Sequence, residues 1–179
     1  LHCIRFAPDG KQCAVAGGYP SEEGIVQVFT WPDFKLQATL SGHDDSVVSV
    51  TWQGNHHLTS ASLDRVLKRW DITTKKAVLT YKGHSRGVRS ACILSTGELV
   101  TAGNDHSVRV WDTATGTLTI FADSQFTSLW IVIGENQKCF ERWGFIREPT
   151  SIKDVVLLLR SAKQYLLHQT NLGNAMLCF

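Results

Sequence analysis

Apolar residues recur over the first two thirds of the chain in short alternating runs. Val47, Val50 and Trp52 are spaced as Val88, Ala91 and Ile93 are, one repeat later, and Leu1, Ile4 and Phe6 carry a matching pattern earlier. Alternation bounded by Gly, Asn, Asp and Ser predicts short strands with one face buried. Residues 24–30, 65–70 and 107–111 read as the third strands of successive units, and 35–40, 76–81 and 117–121 as the outer strands that complete them. Ala7-Pro8-Asp9-Gly10 carries turn chemistry, since Pro presets φ and Gly takes the left-handed region. Val47 and Trp70 are separated by the same interval as Val88 and Trp111, whereas the interval from Leu1 to Phe29 is longer by five. The first unit therefore carries a five-residue insertion, most simply placed in the loop at 17–23.

Two further markers keep one period. Gly42-His43 recurs at Gly83-His84 and Trp70-Asp71 recurs at Trp111-Asp112, so the Gly-His to Trp-Asp interval is identical in both copies. Two dipeptides holding one period mark a tandem repeat. Dipeptides and period together, the latter within the range of about 40 to 45 residues, resemble the WD40 repeat, whose units are four-stranded blades of a β-propeller. The resemblance covers roughly the first two thirds of the chain. It implies an all-β fold, a partial propeller of three marked blades over residues 1–122. The chain opens on Leu1 inside a strand pattern, and three blades fall short of the four to eight of a closed ring, so it reads as a piece of a longer polypeptide.

Past Phe121 the register stops. Residues 123–149 read as a degenerate hairpin or partial blade, with strands at 128–133 and 138–143 around the turn at 134–137. In the tail, 150–179, Ser151 and Asp154 form a capping pair ahead of Ile152, Val155, Val156, Leu159, Ala162, Leu166 and Leu167 at helical spacing. A short C-terminal α-helix over about 152–169 is predicted, ended by Asn171 to Gly173. Its apolar stripe has three readings: packing on the incomplete propeller, docking into a partner groove, or an alternative terminus without native structure.

Composition narrows the function classes. Eighteen basic against sixteen acidic residues, net +2, with no Lys/Arg run, leave no electrostatic footprint for nucleic acid or an anionic membrane. Five scattered cysteines without Cys-x-x-Cys spacing fit reduced thiols in the cytoplasm or nucleus and indicate no zinc site. The longest fully apolar run, 155–159, is far below the roughly 20 residues of a spanning helix. No cofactor is implied.

The WD40 resemblance also implies a hydrogen-bonded chain in each blade, running from the Gly-His imidazole through a hydroxyl and an Asp to the Trp indole. Carried over by register, its members are His43, Ser60, Asp64 and Trp70, then His84, Thr101, Asp105 and Trp111. In the first repeat Phe29 holds the Trp position and Glu23 the Asp position, so its network is absent or altered. The same His, Ser and Asp also compose a hydrolytic triad. Duplication decides for the structural reading: an active site is needed once, a staple in every blade. His56-His57 reads as a solvated turn, because neighbours on a strand face opposite ways. Arg69 stands where the neighbouring repeats have Val28 and Val110, either snorkelling to the blade edge or placed to bind something. Arg86, Arg89 and Asn104 fall in or beside the loops that border the partner surface of WD40 propellers, and are the candidate partner-binding residues. The expected function is a non-catalytic scaffold for protein partners within a larger assembly, with no metal and no catalytic residue. The alternative is an accessory propeller of a multidomain enzyme or signalling protein whose activity lies in other sequence. An incomplete propeller is expected to self-associate or to need a partner.

Overall fold

In the computed structural model, residues 1–94 and 96–123 are described, so the expected hairpin and tail helix lie outside the described residues. The chain divides into two compact units, Leu1–Ile93 with Gly97–Ile131 and Leu94–Thr96 with Val132–Phe179. The strands described below belong to the first unit.

Twelve strands follow one another: β1 (Cys3–Phe6), β2 (Gln12–Gly17), β3 (Gly24–Thr30), β4 (Leu36–His43), β5 (Val47–Gln53), β6 (His57–Ser62), β7 (Val66–Asp71), β8 (Lys76–Lys82), β9 (Val88–Ile93), β10 (Leu99–Gly103), β11 (Ser107–Trp111) and β12 (Leu118–Asp123). They form three antiparallel meanders of four, β1–β4, β5–β8 and β9–β12, as the alternation required. Leu1 lies just ahead of the first strand instead of within it. Each fourth strand hands the chain to the first strand of the next sheet. There β5 packs on β1 and β2, and β9 on β5 and β6.

Strand register confirms the repeat alignment. Phe6 pairs with Cys13, Trp52 with Leu58 and Ile93 with Leu99; on the other side Cys13 pairs with Phe29, Leu58 with Trp70 and Leu99 with Trp111. The same pairs relocate part of the insertion. The interval from Cys13 to Phe29 exceeds that from Leu58 to Trp70 by four, which places most of the insertion in the β2–β3 hairpin. The interval from Phe6 to Cys13 exceeds that from Trp52 to Leu58 by one, so the remainder sits in the Pro-Asp-Gly turn. The 17–23 loop alone was too simple an account. Strand pairing sets turn length, and turn composition does not reveal it.

The cores lie between sheets. One joins Ala14, Ala16, Val26 and Val28 of the first sheet to Val50, Trp52, Trp70 and Ile72 of the second; the other joins Leu67 and Tyr81 of the second to Val88, Ala91, Leu99 and Trp111 of the third. On the first sheet the face matching Val50 and Trp52 is uncovered: Ile4 and Phe6 are 46% and 51% exposed, against 0% and 8% for their counterparts. Trp31, the counterpart of buried Ile72, is also exposed, with its ring 5.3 Å from Phe6 and 5.0 Å from Phe34.

Candidate functional site

Two constellations recur with the period of the sequence, and each begins where a fourth strand crosses to the next sheet. His43 ends β4, yet its ring lies in the second sheet: Nδ1 is 2.6 Å from Asp64 Oδ2 and Nε2 is 2.7 Å from Ser60 Oγ, which also accepts the Trp70 indole N–H at 2.7 Å. His84 meets Asp105 at 2.9 Å and Thr101 Oγ1 at 2.8 Å, and Trp111 donates to the same hydroxyl at 2.9 Å. The order is thus Asp, His, hydroxyl, Trp. The order in which Asp stands between hydroxyl and indole is corrected: the tight β6–β7 and β10–β11 loops fold Asp64 and Asp105 back over the imidazole.

Local sequence explains the closeness. A Cβ on Gly103 would stand 2.6 Å from His84 Nδ1 and 2.8 Å from Asp105 Oδ1, so a bare backbone is required there. Asp64 also accepts the N–H groups of Val66 at 3.0 Å and Asp44 at 3.1 Å. Asp105 likewise accepts from Ser85 N–H and Ser107, and Arg109 Nη2 lies 3.6 Å away. Neither pattern of reinforcement was read from the sequence. Ser107, two positions after Asp105, was the available signal for the second pattern, whereas Ser62 bonds the Asp64 N–H and not its carboxylate.

Electrostatics follow from this bonding. Burial works against charge on Asp105, but hydrogen bonds from Ser107, His84 and the Ser85 N–H outweigh it and hold the carboxyl below the usual carboxylate range. Asp64 is lowered in the same way, with His43 and the Val66 and Asp44 N–H groups overcoming burial. His84 is pushed down by burial, against the pull of Asp105. A neutral His84 carrying its proton on Nδ1 faces Asp105 and accepts from Thr101, whose oxygen in turn accepts from Trp111; every group is used in its proper sense. Ser60 and Thr101 are 0% exposed.

The first sheet has no such chain among the described residues. Val15 occupies the hydroxyl position, paired with Ile4 as Ser60 is with Val50. Glu23 is exposed and Phe29 replaces the indole. Among the described residues no three His, Cys, Asp or Glu side chains converge to hold a metal. His56 lies exposed in the β5–β6 turn.

Arg69 does not snorkel. Its Nη1 donates to Thr113 O at 3.0 Å, where Tyr81 also donates at 3.2 Å, while Gln53 donates to Thr113 Oγ1. Thr113 thereby becomes a polar junction between the second and third sheets, recruited from outside the repeat that carries Arg69. The three rim candidates fall close in the chain's folded path. Arg86 is exposed in the β8–β9 loop; Arg89, exposed on β9, donates through Nε to Asn104 Oδ1 at 2.9 Å; and Asn104 N–H bonds Gly87 O at 2.8 Å.

Comparison with known proteins agrees with this architecture. Residues 34–71 and 75–112 each match the family model "WD domain, G-beta repeat". The chain is 29% identical over 173 residues to nuclear distribution protein nudF of Aspergillus niger, covering 88% of this chain and 37% of that protein. It is 30% identical over 117 residues to a Denticleless protein homolog of Danio rerio, covering 62% of this chain and 18% of the relative. It spans less than two fifths of the length of these curated relatives. Among solved structures, the WD40 β-propeller domain of Doa1 superposes with TM-score 0.64 at 25% identity, covering 72% of this chain and 42% of that one. Two matched repeats, three four-stranded sheets that follow their register, and these likenesses identify WD40 repeats in this chain.

Proposed function

We propose that the chain is a non-catalytic WD-repeat scaffold that presents its loops and open blade faces to protein partners of a larger assembly, in the cytoplasm or nucleus. The observation that carries this reading is the second copy of the buried Asp–His–hydroxyl–Trp chain. Each hydroxyl is already engaged by an indole N–H and has no exposed face, whereas a nucleophile must come within about 3–3.5 Å of its substrate. The unpaired Cys3 and Cys13 suit a reducing compartment. The relatives' names, nuclear distribution protein and Denticleless protein homolog, denote no reaction.

Arg86, Arg89 and Asn104 are the contact residues in this reading, because rigid strands hold them on connecting loops and one sheet margin. The uncovered face at Ile4, Phe6 and Trp31 is a second adhesive surface. Ile4 and Phe6 are about half exposed, so covering them would contribute about 0.7–1.5 kcal/mol each, which favours self-association or capture of a partner. Capture of native partners on immobilised chain tests both surfaces. The Arg86→Ala, Arg89→Ala, Asn104→Ala triple variant is expected to lose partner while melting as wild type, and light scattering is expected to show an associated species that Phe6→Ser disperses. Wild-type capture by the triple variant, or a monodisperse monomer of wild-type chain, would remove the corresponding surface from the proposal.

A further inference from the structure

Four loops gather at one end of the sheets. Leu63 N–H bonds Ser46 O at 3.0 Å, Asn104 N–H bonds Gly87 O at 2.8 Å, and Gly87 lies against Leu63 so closely that a Cβ would stand 3.0 Å from the Leu63 Cα. The connections 44–46, 63–65, 83–87 and 104–106 therefore form one continuous rim.

Charge on this rim is sorted by the hydrogen-bond chains beneath it. Asp64 and Asp105 are the acidic residues of the 63–65 and 104–106 connections, and both are turned inward, their side chains 7% and 5% exposed and bound to His43 and His84. The basic side chains beside them are left outside. Arg65, in the left-handed region at φ 76°, follows Asp64 immediately and is exposed. Arg86 and Arg89 are exposed two loops on, and among the described residues no carboxylate pairs with Arg65, Arg86 or Arg89. Asn104 holds Arg89 through Nε alone, which leaves the paired Nη edge of the guanidinium for another acceptor. Toward the first sheet the sign reverses. With no histidine to bind it, Glu23 is exposed, as are Glu22 and Asp44, and Ser21 N–H ties their two loops together through Asp45 Oδ1 at 3.0 Å.

The geometry points to Arg65, Arg86 and Arg89 as a docking surface for a short acidic peptide segment of a protein partner. This rests on the protein-scaffold reading and names the chemistry of its contact. Guanidinium edges match carboxylates two donors to two acceptors, and a local excess of positive potential accelerates encounter with an acidic segment. A short run of Asp and Glu can meet these basic side chains alone. An extended phosphodiester chain would run on into Glu22, Glu23 and Asp44 and be repelled, which argues against nucleic acid.

Fluorescence anisotropy on the full chain tests this with a labelled peptide of alternating Glu and Gly, a Lys and Gly peptide of equal length, and a short oligothymidine. Saturable binding of the acidic peptide is expected, weakening as salt rises from about 50 to about 300 mM. The Arg65→Ala, Arg86→Ala, Arg89→Ala variant is expected to weaken it about tenfold or more. Asn104→Ala should weaken it less, by freeing the Arg89 rotamer, and Glu22→Gln with Glu23→Gln should leave it unchanged or tighter. Absence of acidic-peptide binding, equal or tighter binding of oligothymidine or the Lys peptide, or a triple variant that binds as wild type would overturn the assignment. A chain that still captures its native partner through Arg86, Arg89 and Asn104 but ignores the acidic peptide overturns this chemistry alone and leaves the scaffold reading standing.

Discussion

His84 and Thr101 show how little freedom remains inside a blade. Trp111 donates to the Thr101 oxygen, and an imidazole that is neutral with its proton on the Asp105 side leaves Nε2 to accept the Thr101 proton. Burial enforces the same state by pushing the His84 pKa below its ordinary value. A base whose folded pKa is depressed contributes stability that is present above its unfolded pKa, about 6.5, and is lost as pH falls through the folded value. Thermal melts between pH 7 and pH 5 should therefore show stability declining on acidification, and His84→Gln should flatten the part of that slope due to this group. A wild-type profile retained in the variant would mean that another group carries it. The residues of this chain were legible because they recur; the position of Asp105 within it was not. A carboxylate can serve either end of a His-hydroxyl pair, and the fold of a short loop decides between them.

At the scale of strands, the repeats share a scaffold but not its reinforcement. The second and third sheets each have a buried polar chain that ties a crossing strand to β6 and β7 or to β10 and β11, whereas the first sheet has Val15, Glu23 and Phe29 at those positions. Local opening follows the weakest tether. Amides of β2 and β3 are expected to exchange hydrogen before those of β7, and slower exchange in β3 than in β7 would contradict this. Strand order and register were legible from the repeat period, because side chains facing a buried neighbour must repeat when the neighbour repeats. The Arg69 to Thr113 contact was not. Its acceptor is a backbone carbonyl of the following repeat, and no side-chain pattern marks a carbonyl.

Across the whole molecule, stability comes from sheets burying each other's faces, and each polar chain is a separate tie between one crossing and one sheet. Removing either carboxylate leaves a buried imidazole and backbone N–H groups without their acceptor, which costs about 1–3 kcal/mol. The two ties share no partner, so their losses should add within about 0.5 kcal/mol. A hydrolytic site would behave otherwise, since one of the two constellations would govern activity and neither need govern stability. The most direct measurement is equilibrium unfolding of Asp64→Ala, Asp105→Ala and the double variant, on the chain within an intact propeller, alongside a hydrolase assay. The account predicts a loss of stability for each single variant, near-additive loss for the double, and no activity to lose. Unchanged unfolding in Asp64→Ala together with the disappearance of a wild-type hydrolytic activity would contradict it.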